Sequence, residues 1–183
     1  MIPHVICPPG FVHVDLDGLW TLAGCYGYDE GDSFENDPVF TLALDRLLAL
    51  FDRLEIRATF FISGRDTEDS AKAHRIATIA ERGHELANHG WNHRIGMEAM
   101  PEADRRAEIE RTSQRLAELG GQRPLGFRAP GYDAGPRVLT ACSAAGIPYD
   151  GSTLPTRWAP ALRWMATRLR DQVRSETGAP PPD

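Results

Sequence analysis

The chain has 183 residues, 42% of them hydrophobic and 25% charged, which is enough apolar material for one cored domain and too balanced a mix for a disordered chain. A formal net charge of −6 weighs against nucleic acid as the main partner, and no apolar run reaches the ~20 residues that span a bilayer. The opening residues lack the basic and apolar blocks of a secretory leader, and Cys7, Cys25 and Cys142 match neither a disulfide framework nor a CxxC site, so the expected compartment is a reducing cytoplasm.

Strand and helix signals alternate along the chain. Over residues 11–17, Val12, Val14 and Leu16 sit between polar neighbours, the period-2 pattern of a half-buried strand. Residues 18–36, rich in Gly, Tyr and acid, predict a long loop of the kind that tends to carry function. Asp37 and Pro38 read as cap and first-turn proline of a helix with the buried stripe Phe40, Leu44, Leu47, Phe51 and Leu54. Residues 58–62 form a short apolar run suited to a strand buried on both faces. A helix over 68–82 follows, stopped by Gly83. Next come a brief strand at 85–87, a charged helix over 102–119 ending at Gly120 and Gly121, and a strand at 125–128. A helix over 136–145 and a strand at 147–150, weakened by Pro148, complete the series. Five such alternations predict a mainly parallel α/β sheet or barrel. Residues 175–183, rich in Pro, Gly and acid, read as a flexible tail behind a single domain over 1–174. Lys72 is the single lysine among 20 basic residues.

In parallel α/β folds, functional side chains collect at the C-terminal ends of the strands. Asp15 and Asp17 end the first strand two residues apart, which places them on one face. His89-Gly90-Trp91-Asn92-His93 follows the third strand. Histidines four apart fall on one side of a helical turn, close enough to share a metal ion. With a carboxylate from another strand end they complete a His₂-Asp set, leaving one coordination position open for water and substrate. Arg128-Ala129-Pro130-Gly131-Tyr132 follows the fourth strand. It offers an arginine to pair with and orient a carboxylate, and a turn whose N–H could face an oxyanion. Each element alone has an ordinary explanation: acids as caps, surface histidines, an arginine before a turn. Their order on three successive strand ends is what points to a site.

Together, Val14-Asp15-Leu16-Asp17-Gly18, the His89–His93 segment and the Arg128–Tyr132 segment resemble the NodB homology domain of polysaccharide deacetylases, carbohydrate esterase family 4, over roughly residues 11–155. Ala58-Thr59-Phe60-Phe61 is similar to the family's second strand. The resemblance implies a (β/α) barrel of the NodB type with mainly parallel strands, and a hydrolase that removes an N-acyl group, acetyl or formyl, from an amino sugar or glycan. It implies Asp15 as general base, Arg128 as its orienting partner and the Tyr132 backbone as oxyanion donor. Asp17, His89 and His93 would then hold one divalent ion, zinc, with cobalt or nickel as alternatives, while Trp91, Pro130 and Gly131 would bind substrate.

Two departures qualify the expectation. Leu16 separates the two acids, a form that resembles a branch containing some peptidoglycan deacetylases and lipid-linked sugar deformylases. The family's general acid is a late-strand histidine, and no histidine follows His93. A full eight-unit barrel also takes ~250 residues. The expected fold is therefore a partial or distorted barrel, short at its C-terminal side and low in activity. The alternatives are a catalytically impaired domain that binds metal and glycan, or a deformylase acting on a lipid-linked amino sugar at the membrane surface. Trp158, Leu162, Met165 and Leu169 recur at helical spacing among arginines, which suits an outer helix packed on the sheet or peripheral membrane contact through residues 158–173. An uncovered sheet edge would favour a homo-oligomer.

Overall fold

Strands β1 (Val12–Leu16), β2 (Ala58–Ile62), β3 (Glu85–Asn88), β4 (Gly126–Phe127) and β5 (Tyr149–Asp150) lie side by side in chain order, and every neighbouring pair is parallel. The computed structural model describes residues 10–26, 37–153, 156–158, 161, 165 and 168. Parallel neighbours require a crossover between strands. Helices supply it: α1 (Leu19–Tyr26) and α2 (Leu44–Leu54) between β1 and β2, then α3 (Ser70–Glu81), α4 (Glu102–Gly120) and α5 (Pro136–Ala144). The product is a curled half-barrel, the partial barrel expected from the sequence.

The pleat sorts the side chains. On β1, Val12, Val14 and Leu16 pack against the helices, while His13 and Asp15 turn to the opposite face and meet Arg128. On β2, Phe60 and Ile62 enter a core with Leu44, Leu48, Phe51, Ile76 and Ile79, while Phe61, paired with Asp15 in register, turns the other way. A second core of Met97, Ile109, Phe127, Val138, Cys142 and Ile147 joins β4 to α4 and α5. One face of the sheet is thus greasy, and the other carries the chemistry.

Four features differ from the sequence expectation. Part of the predicted long loop is helix α1, because Trp20 finds a buried seat with its indole N–H on Asp66 Oδ1 (2.9 Å) and Asp37 Oδ2 accepts the Leu19 N–H (2.8 Å). The buried stripe of the next segment runs Phe40, Leu44, Leu48, Phe51, and Leu54 is exposed. Leu48 joins the stripe, Leu47 is partly buried against the same core, and Leu54, the last residue of the helix, is the one left exposed. Helix α3 begins at Ser70, where Asp69 caps it by accepting the Lys72 N–H (2.8 Å), and a 3₁₀ turn over Gly64–Glu68 precedes it. The strands at β4 and β5 are two residues each, shorter than predicted. Leu162, Trp164, Leu169 and the predicted tail lie outside the described residues, and Trp158 and Met165 are 61% and 49% exposed. Among the described residues, no helix is long and apolar enough to cross a membrane.

Candidate metal and catalytic site

At the C-terminal end of β1 the chain delivers Asp17, and at the end of β3 it delivers His89. The His89 N–H continues the ladder by donating to Ile62 O (3.0 Å). The sequence predicts that a helical turn brings His89 and His93 together, but the segment is not helical. Left-handed backbone at Gly90 (φ +74°) and His93 (φ +50°) folds it back, and the rings meet edge to face with centroids 5.0 Å apart. Buried polar groups hold this loop from beneath. Asn88 Oδ1 accepts the Gly90 N–H (2.8 Å), and Glu108 accepts the N–H groups of Trp91 (2.7 Å) and Asn92 (2.8 Å) and the Asn92 side-chain amide (2.7 Å).

Nε2 of His89 and Nε2 of His93 each lie 3.5 Å from Asp17 Oδ1, and one ligand atom from each of the three residues falls within 4.8 Å of the others. This set fits a divalent cation on three observations. Asp17 Oδ1 is buried and accepts no hydrogen bond. His89 Nδ1–H donates to Arg128 O (2.7 Å), which leaves the Nε2 lone pair facing the cluster. Burial, opposed by the Asp17 charge, lowers the His89 pKa and keeps that ring neutral. Burial raises the Asp17 carboxyl, but the contact with His93 and the electrostatic interaction with the two imidazoles outweigh it and leave the pKa lowered. A carboxylate with two imidazoles is a common zinc donor set.

Beside this cluster stands Asp15. Arg128 Nη1 donates to Asp15 Oδ1 (2.6 Å), Nε donates to Gly151 O (2.9 Å), and the guanidinium lies over the Phe61 ring at 4.1 Å. The Tyr132 phenol donates to Asp15 Oδ2 at 3.5 Å, the outer limit of a hydrogen bond. Burial and the neighbouring Asp15 charge raise the phenol's pKa, so it stays protonated. The Tyr132 N–H donates to Ala129 O (2.9 Å) within the turn. What Tyr132 presents to Asp15 is its phenol, whereas the resemblance implied a role for its amide.

The structure brings Asp15, Asp17, His89, His93, Arg128 and Tyr132 to one place and does not do so for all the expected substrate contacts. Trp91 is 5% exposed, its indole packed against Gly64 and covered by the Arg111 guanidinium at 3.5 Å. Its bulk secures the loop and offers substrate no face. Pro130 is buried as well, and of the three only Gly131 (φ +66°) is exposed. Sequence reasoning missed His13, Phe61, Asn88 and Glu108. His13 shares the strand parity of Asp15, but its contact with Arg128, and the facing of Phe61, which follows from the β1–β2 register, show only in the fold. Glu108 shows only as one of Arg105, Glu108, Thr112 and Leu116, a buried series at helical spacing in α4. A further cluster backs the turn after Asp17. Lys72 Nζ binds Asp66 Oδ1 (2.9 Å) and Asp37 Oδ2 (3.3 Å), and a Cβ at Gly18 would come within 2.6 Å of Asp66 Oδ1.

The family model described as polysaccharide deacetylase matches residues 28–149. A peptidoglycan deacetylase of Helicobacter pylori is 26% identical over 151 residues, covering 80% of this chain and 50% of that protein. A crystal structure from Mycobacterium smegmatis, assigned as a polysaccharide deacetylase, superposes with a TM-score of 0.64 at 25% identity, over 80% of this chain and 53% of that one. A carbohydrate esterase family 4 pseudoenzyme of Bacillus anthracis shares the fold, with a TM-score of 0.58 at 16% identity, over 88% and 60%. The chain spans about half or less of the length of the curated relatives it matches.

Proposed function

The chain belongs to the polysaccharide deacetylase family, and on that premise we propose that it hydrolyses the N-acyl amide of an amino sugar in a glycan such as peptidoglycan. The observation that carries the proposal is the adjacency of two units: a three-residue donor set for a divalent ion and a carboxylate held at one oxygen by arginine. A divalent ion held by Asp17, His89 and His93, zinc first and cobalt or nickel as alternatives, would supply a Lewis acid for the acyl carbonyl and acidify a water.

The chain's own residues divide the remaining work. Arg128 occupies Asp15 Oδ1 and leaves Oδ2 as the oxygen that takes the proton from the attacking water. As the C–O bond forms and the C–N bond breaks, Asp15 returns that proton to the departing amine nitrogen, so the products are a carboxylic acid and a free amine. The protonated Tyr132 phenol, beside Oδ2, is the donor that turns to the acyl oxygen as negative charge develops on it. Gly131, exposed on the same turn, forms the rim against which the sugar rests.

The test is acid release from N-acetylglucosamine oligomers and their N-formyl counterparts, with the chain loaded with zinc or cobalt. Acetate or formate appearing in step with free amine supports the proposal and names the acyl group. Stoichiometric metal uptake with no acid released would make the chain a metal- and glycan-binding domain instead.

A further inference from the structure

We propose that His13 is a positioning residue of this site: a neutral imidazole whose Nδ1 accepts a hydrogen bond completes the set of partners that aims Arg128 at Asp15. The inference rests on the assignment of Asp15 as the base. A guanidinium carries donors only, in a rigid planar fork. Here one edge goes to Asp15 Oδ1 (2.6 Å), Nε goes to Gly151 O (2.9 Å), and Nη2 meets His13 Nδ1 at 2.9 Å. His13 and Asp15 are two residues apart on β1, so the pleat puts both on one face and Arg128 spans them. The atom facing Nη2–H must hold a lone pair, which places the proton of the neutral ring on Nε2.

Phe61 fixes the arrangement. The His13 ring stands edge-on to it, with centroids 5.3 Å apart, and the Arg128 guanidinium lies over the same ring. The charged groups that face His13 are Arg128, which follows β4, Glu85 on β3 and Asp15 on its own strand. Glu85 is already engaged by Thr59 Oγ1 (2.7 Å) and by the Tyr149 phenol (2.9 and 3.0 Å). Desolvation of the ring and the Arg128 charge lower the His13 pKa, with Glu85 and Asp15 opposing. When a second proton joins the ring, Nδ1–H confronts Nη2–H and two cations face each other. Arg128 then loses one of its three anchors, and the angle it holds toward Asp15 is released. The site therefore contains a group, outside the ligand set and the base, through which acid lowers activity.

Three proteins test this: wild type, His13→Asn and His13→Phe, each as the full chain. An Asn amide oxygen takes the place of Nδ1 and does not titrate. Nitrogen-15 NMR of the metal-free proteins reads the tautomer of His13 and the side-chain N–H signals of Arg128. The expected result is an Nε2–H ring in wild type, with Arg128 signals resolved in wild type and His13→Asn and averaged in His13→Phe. An Nδ1–H ring, or Arg128 signals that do not change in His13→Phe, overturns the proposal. In zinc-loaded turnover, His13→Phe should lose about tenfold or more in kcat/KM, the scale of one charge-assisted hydrogen bond. His13→Asn should keep most of the rate and lose the low-pH inflection of wild type, and an unchanged inflection counts against the proposal. If wild type releases no acyl group, the proposed function fails by itself, while the NMR comparison still decides whether His13 positions Arg128.

Discussion

At the scale of single residues, Arg128 does the most. Its guanidinium joins Asp15, the Gly151 carbonyl and His13 while its own carbonyl fixes the tautomer of His89, so one residue links the base to the metal cluster. Lysine has one compact ammonium and cannot reach those partners together. Arg128→Lys should therefore lose about tenfold or more in kcat/KM, measured by acid release, while zinc still binds. A rate within twofold of wild type would show that the fork geometry is dispensable. Glu108 acts from below, receiving three hydrogen bonds from the loop that carries His93. Glu108→Gln turns one acceptor into a donor facing N–H groups, and zinc affinity by calorimetry should fall about 10–100-fold. The six residues that meet at the site were legible because each lies at the end of a strand or in the segment just after one, in a motif with unusual polar neighbours. His13, Phe61 and Glu108 were not, because their roles are contacts across the fold. His13 and Arg128, for example, are 115 residues apart in the chain.

At the scale of elements, strand and helix periodicity located all five strands and helices α2 to α5 to within a few residues. Helix α1 was illegible because its residues lie in a Gly-rich stretch and form a helix only where Asp66 and Asp37 receive their N–H groups. The loop after β3 was misread for a related reason. Spacing alone suggests a helical turn for His89 and His93, whereas positive φ at Gly90 and His93 follows from Glu108 and Asn88 gathering the backbone N–H groups. The packing of Trp91 gives this loop a second anchor. A Cβ on Gly64 would sit 2.3 Å from Trp91 Cε3 and 2.7 Å from Thr112 Oγ1. Gly64→Ala should destabilise the fold by about 1–3 kcal/mol in urea unfolding and weaken zinc binding together. Lost stability with unchanged zinc affinity would separate the Trp91 seat from the site.

At the scale of the whole molecule, buried polar groups make stability depend on pH. His84 is 5% exposed between Phe51 and Phe60, its Nδ1 accepts the Ala58 N–H (3.2 Å), and burial followed by the Arg57 charge lowers its pKa. The unfolded chain takes up a proton at His84 near the ordinary value of 6.5, and the folded chain does so only at lower pH. Stability from this group is therefore complete above that value and is lost as pH falls below it, by up to about 1.4 kcal/mol per pH unit. Urea unfolding of the metal-free chain across this window should show that decline, and a shallower one in His84→Leu. An equal slope in both proteins would assign the decline to other groups.

The central claim is that Asp15 is the base of a metal-dependent amide hydrolysis, and one comparison tests it most directly. Acid release from N-acetylglucosamine oligomers is measured for wild type and Asp15→Asn at saturating zinc, with zinc stoichiometry measured on the same samples. The account predicts equal zinc content and a rate lower by about 10²–10⁴-fold in the variant, the usual scale of general base catalysis. Equal rates in the two proteins would contradict it.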